Sequence, residues 1–135
     1  GGAFLAVAIF VAQVRAGPPR DAWKPPLASF RLLAAMPDQQ RVFCYDFAPC
    51  SVGLDFPVRV FMDGRADPYP PRVWYDFNTL RNAARGWRRL VEAYDINAML
   101  VKKKDKLDRA LRKSSNWRNV PTPDRCCRLY ERKSP

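Results

Sequence analysis

Apolar and polar positions alternate along Pro57–Met62. Val58, Val60 and Met62 fall on one side, and Arg59 and Phe61 fall on the other. This period of two predicts a strand with one buried face. The strand runs into Asp63-Gly64-Arg65-Ala66-Asp67, where Gly64 permits a sharp turn and three charges gather at the strand's end. In open α/β sheets that end is where ligands are usually held, so the chain is read as organised around Pro57–Asp67.

The other elements follow from their own periods. Leu27–Met36 carries Leu27, Phe30 and Leu33 or Ala34 on one stripe, which predicts a short amphipathic helix stopped by Pro37. Arg41–Phe47, rich in β-branched and aromatic residues, predicts a first strand, and Ala48–Phe56 a loop. Val73, Phe77, Leu80, Ala84, Trp87, Val91 and Tyr94 recur at spacings of three and four. They predict one helical core stripe, bent or broken at Gly86, with Arg81, Arg85, Arg88 and Arg89 outside. Ile96–Val101 is apolar enough for a strand buried on both faces. Asp105 is placed to cap a helix over Lys106–Lys113, and Trp117–Val120 with Arg125–Arg132 predicts a hairpin at the sheet edge. The fold class is therefore α/β, with a single mixed sheet of about five strands packed with helices.

The first residues change that picture. Ala3–Val14 is an apolar run broken only by Gln13, shorter than the roughly 20 residues a membrane span needs. The preferred reading is the end of a membrane-anchoring helix over residues 1–16. A trimmed signal segment, ending near Val14-Arg15-Ala16, and a buried core helix are the alternatives. Residues 17–26 hold four prolines and a glycine and read as a stiff linker. Residues 27–135 then form the soluble domain.

Charge narrows the partners. With 24 Lys and Arg against 13 Asp and Glu, the net charge of +11 favours anionic partners, foremost an anionic lipid surface. No RNP-type motif, zinc-finger spacing or Gly-rich RNA loop occurs, which argues against nucleic acid as the partner. Lys102, Lys103 and Lys104 are the candidate anionic-surface contact, read as a solvated patch suited to lie against anionic lipid headgroups, with a phosphate clamp as the less favoured alternative.

Candidate chemistry is sparse. Histidine is absent, which removes the Ser-His-Asp triad and the commonest metal ligand together. Cys44, Cys50, Cys126 and Cys127 lack zinc-site spacing, so no metal is expected. If the domain is extracytoplasmic, a Cys44–Cys50 disulfide is a candidate; otherwise these are small buried hydrophobes. No P-loop, dinucleotide fingerprint or nucleophile elbow occurs, and no cofactor or catalytic residue is assigned. For Asp63, Arg65 and Asp67 the preferred reading is that Arg65 fixes the turn by pairing with a flanking Asp; the alternative is a site that holds a sugar hydroxyl, a phosphate or a divalent ion. Tyr45 and Asp46, at the end of the first strand, complete the candidate rim, with Asp46 a partner for Arg65.

The segments R-V-F-C-Y-D-F, P-V-R-V-F-M-D-G-R-A-D-P-Y, G-W-R-R-L-V-E-A-Y-D-I-N-A-M-L-V, N-W-R-N-V and C-C-R-L-Y-E-R occur in a set order. That order resembles the C-terminal soluble domain of bacterial multi-pass membrane proteins of the C-type glycosyltransferase-like group, over residues 26 to 132. The resemblance aligns Asp63, Gly64 and Arg65 with the family's Asp-Gly-Arg motif, Tyr45 and Asp46 with its first motif, and Trp87 and Tyr94 with packing positions. Where the family has Trp-Gly-Gly-Tyr, this chain has Phe47-Ala48-Pro49-Cys50, which alters any backbone approach to a lipid-linked sugar. The family's catalytic acid is expected between membrane helices, outside this chain. The resemblance thus implies an extracytoplasmic (periplasmic) accessory domain of a membrane glycosyltransferase, positioning substrate or closing the membrane-side cavity, and not catalytic alone. The alternative is a small non-catalytic anchored subunit that docks its basic face on other subunits of a membrane complex.

Overall fold

The computed structural model describes residues 24–62 and 69–134. The apolar run Ala3–Val14, most of the 17–26 linker, and Asp63, Gly64, Arg65 and Asp67 lie outside the described residues. Among the described residues no helix is long and apolar enough to cross a membrane.

Five strands form one mixed sheet in the order β2-β1-β3-β5-β4. They are β1 (Arg41–Cys44), β2 (Arg59–Val60), β3 (Ala98–Lys102), β4 (Trp117–Val120) and β5 (Cys127–Arg132). β1 runs parallel to both β2 and β3, while β5 is antiparallel to β3 and β4. The α-helices among the described residues are α1 (Leu27–Ala34), α2 (Phe47–Cys50), α3 (Pro71–Arg81), α4 (Trp87–Ala93) and α5 (Lys106–Lys113).

The sheet is covered on both faces, and the alternation along β3 shows how. Met99 and Val101 join Phe77, Leu80, Trp87, Val91, Leu107 and Leu111 on the side of α3, α4 and α5. Ala98 and Leu100 join Phe30 and Leu33 of α1, with Val42 and Cys44 of β1, on the other side. A strand with both faces covered must be apolar throughout, and this is why Ala98–Val101 carries no polar alternation. The result is a three-layer α/β/α arrangement with β3 at its centre.

Several expectations from the pattern need correction. The strand at Pro57–Met62 is neither central nor long: only Arg59 and Val60 pair, at the sheet's edge. Val58 and Val60 pack on the α1 side, but Phe61 and Met62 pack on the α3 side, so the period of two ends at Val60. The first strand stops at Cys44, and the following segment is not a loop. It forms α2 and then a 3-10 turn over Ser51–Asp55, with Pro49 inside the first helical turn, where its missing N–H costs nothing. The long helical stripe is two helices, separated at residues 82–86. Gly86 (φ 91) starts the second, and Ala83 also adopts a positive φ, 46. Of the stripe residues, Phe77, Leu80, Trp87 and Val91 are buried while Ala84 is exposed. The helix over Lys106–Lys113 forms with the expected bounds, but the Asp105 side chain makes no capping hydrogen bond.

Gly53, in the 3-10 turn, is required by close approach. A Cβ there would lie 2.6 Å from the Phe30 ring and 2.8 Å from a Val60 methyl. The missing side chain lets the turn press onto the fully buried Phe30, and this contact seals the α1 face beside the edge strand.

Candidate functional site

The three parallel strands β2, β1 and β3 all point their carboxyl ends the same way. Beyond those ends lie Phe61–Met62 from β2, Tyr45–Asp46 from β1 and Lys103–Lys104 from β3, whose last residue is Lys102. Segments separated by up to sixty residues in the chain are thereby brought to one end of the sheet. This is the position at which open α/β sheets hold ligands.

Each segment is anchored before it reaches that end. Phe61 packs edge-on against Tyr94, with centroids 4.6 Å apart and planes at 83°, and Met62 is buried at 2% exposure. Tyr94 donates its hydroxyl proton to Asp76 at 2.5 Å; that bond is the main reason its pKa is raised, with burial adding to it. On the return side of residues 63–68, Tyr69 meets Trp74 edge-on at 6.3 Å. Phe61 and Tyr69, which flank residues 63–68 in the chain, both pack partly buried against the α3-side core.

Tyr45 packs on the α1 side, opposite to Phe61 and Met62. Its backbone N–H continues the pairing onto Leu100 at 3.1 Å. Burial raises its pKa, and the charges of Asp46 and Asp124 raise it further. Asp46 is exposed. Its expected pairing with Arg65 involves a residue outside the described set. Immediately behind Tyr45, Cys44 and Cys50 are joined by a disulfide with Cα atoms 6.1 Å apart, and both cysteines are buried. A second bond joins the adjacent Cys126 and Cys127.

Lys102, Lys103 and Lys104 are exposed. Lys104 adopts a left-handed backbone, φ 71, and its N–H donates to Asp108 Oδ2 at 2.8 Å. The third residue of α5 thus reaches back past Asp105 to accept the N–H of the residue before the N-cap, the returning half of a capping-box-like arrangement.

Asp108 is the residue that pattern reading missed. It is fully buried, accepts the Tyr130 hydroxyl at Oδ1 (2.6 Å), and lies 3.6 Å from Arg128 Nη1. The signal was present but faint: an acidic residue in the first turn of a helix, among apolar neighbours Leu107 and Leu111. Strand alternation also places Arg128 and Tyr130 on one face of β5, toward α5. Among the described residues no cluster of His, Cys, Asp or Glu is arranged to hold a metal ion.

Burial, with the hydrogen bond to Asp108 second, pushes the Tyr130 hydroxyl from its ordinary 10.0 up to about 12, and Arg128 partly opposes this. A raised folded-state pKa means that the folded protein holds this proton more tightly than the unfolded chain. The contribution is complete below pH about 10 and is lost as pH rises through about 12. Tyr130→Phe removes the titrating group, so the stability gap between wild type and variant shrinks over that window. Denaturant midpoints measured across it test this; a gap independent of pH contradicts it.

Comparison of the chain with protein-family models found no match, and comparisons with curated proteins and with solved structures found none either.

Proposed function

We propose that this chain is an extracytoplasmic accessory domain of a membrane glycosyltransferase-like protein. It positions a lipid-linked sugar or closes the membrane-side cavity, and leaves bond-making to residues elsewhere in the enzyme. The observation that carries the reading is the convergence of Tyr45–Asp46, Phe61–Met62 and Lys102–Lys104 at the carboxyl end of three parallel strands. Tyr45–Asp46 and Phe61–Met62 belong to segments through which the chain resembles that group. The exposed lysines supply positive charge where a sugar-phosphate headgroup would approach.

The Cys44–Cys50 bond supports the compartment. Disulfides persist in oxidising surroundings such as the periplasm and are rare in the cytosol. The apolar run Ala3–Val14 supports attachment to a bilayer.

The experiment is titration of the purified chain, in detergent, with a polyprenyl-phosphate-linked sugar. Saturable binding without sugar transfer is the expected result. A docking subunit of a larger complex, the second reading, has no affinity for that lipid.

A further inference from the structure

Between the end of β3, helix α5 and the start of β5 lies a cavity of about 250 Å³, lined in part by Lys103, Arg112, Asn119, Thr122, Asp124 and Arg128. Its cations come from three separate elements: Lys103 from the turn after β3, Arg112 from α5 and Arg128 from β5. They outnumber the one lining carboxylate, Asp124, by three to one. Asp124 is itself engaged, because its Oδ2 accepts both the backbone N–H and the hydroxyl of Ser29, at 2.7 and 2.6 Å.

Arg128 gives the cavity its chemical direction. Its Nη1 is buried and has no hydrogen-bond acceptor among the described residues. The nearby Asp108 offsets its charge, but 3.6 Å is too long for a hydrogen bond. Asp108 Oδ1 accepts the Tyr130 hydroxyl and Oδ2 the Lys104 N–H, so its close hydrogen bonds go to groups other than Arg128. Buried donors in folded proteins are almost always satisfied, and no described residue supplies an acceptor for this one, which leaves the Arg128 guanidinium with donor capacity beside the cavity that it lines. The volume corresponds to about eight waters, enough for a tetrahedral oxyanion and part of its hydration.

We propose that this cavity binds a phosphoryl oxyanion. The anchored Arg128 donates from the inner wall, and the exposed Lys103 and Arg112 supply charge at the mouth. The site does not depend on the glycosyltransferase reading, since inorganic phosphate alone is its probe.

The test follows phosphate titration of the full chain in detergent by amide chemical shifts, against chloride at matched ionic strength. Saturable shifts confined to the cavity-lining residues are expected. Arg112→Gln and Lys103→Gln, both at exposed positions, keep the fold and each weaken phosphate binding about tenfold. Arg128→Gln abolishes binding, and its amide spectrum reports whether the domain is still folded. Vesicles of phosphatidylcholine with phosphatidic acid identify the source of the phosphate. Phosphate-competitive vesicle binding, lost in Arg112→Gln, assigns the site to a lipid headgroup; phosphate binding without it assigns the site to a soluble phosphate. Absence of saturable shifts, or equal shifts in wild type, Arg112→Gln and Lys103→Gln, overturns the proposal.

Discussion

Asp108→Ala lowers the unfolding free energy of the domain by about 3–5 kcal/mol, the loss expected when one partner of a buried ionic network is removed. Asp108 holds three groups at once: the Tyr130 hydroxyl, the Lys104 N–H and the Arg128 guanidinium. Truncating it leaves the buried Tyr130 hydroxyl only its long 3.4 Å contact to the backbone carbonyl of residue 108, the Lys104 N–H without its acceptor, and a largely buried cation without this counter-charge. It also releases Lys104 from the bond that supports its left-handed backbone. Small domains are stable by roughly 5–15 kcal/mol, so this one change takes a large share of the total. Asp108→Asn should cost less, because an amide keeps one acceptor while losing the charge that faces Arg128. Urea unfolding of the two variants checks the order; a loss below about 1 kcal/mol for Asp108→Ala would show that the network contributes little.

The double substitution Cys44→Ala with Cys50→Ala lowers stability by about 2–4 kcal/mol, and reductant has no further effect through this pair. The cross-link ties the last residue of β1 to the end of α2 across a separation of six residues. It therefore fixes the direction in which the chain leaves the sheet behind Tyr45–Asp46. Removing it restores freedom to the unfolded chain and leaves two truncated side chains in the α1-side core, where Cys44 and Cys50 are 2% and 0% exposed. The effect reaches the candidate site, because Tyr45 packs against that same cluster. Amide exchange at Tyr45 and Asp46 should rise more than at Met99 in β3. Equal exchange at these positions, with unchanged stability, contradicts this role for the bond.

Periodicity identified most elements and mistook their rank. Residues 117–120 and 106–113 were legible because each carries its own pattern: a strand bounded by turn residues, and a helix with Leu107 and Leu111 one turn apart. Pro57–Met62 looked central because period-two alternation is the mark of a half-covered strand. A strand covered on both faces shows no alternation, so Ala98–Val101 was legible as a doubly buried strand while nothing in its own pattern marked it as the centre of the sheet. Ala48–Phe56 read as a loop because Pro49 and Gly53 suppress helix propensity. The helical turns there are held by tertiary contacts, the disulfide and the Gly53–Phe30 approach. Tyr45, Asp46 and the lysine run were legible as strand ends, but their meeting at one end of the sheet depends on strand order, which no local pattern encodes. The Asp108–Tyr130–Arg128 network was hidden for the same reason, since its members lie about twenty residues apart.

The most direct measurement is binding of a polyprenyl-phosphate-linked sugar to the purified chain, followed together with release or transfer of the sugar. The account predicts saturable binding that perturbs Tyr45, Phe61 and Lys102–Lys104, with the sugar recovered intact on its lipid. Sugar transfer by the isolated chain, or no binding under conditions where the fold is intact, would contradict it.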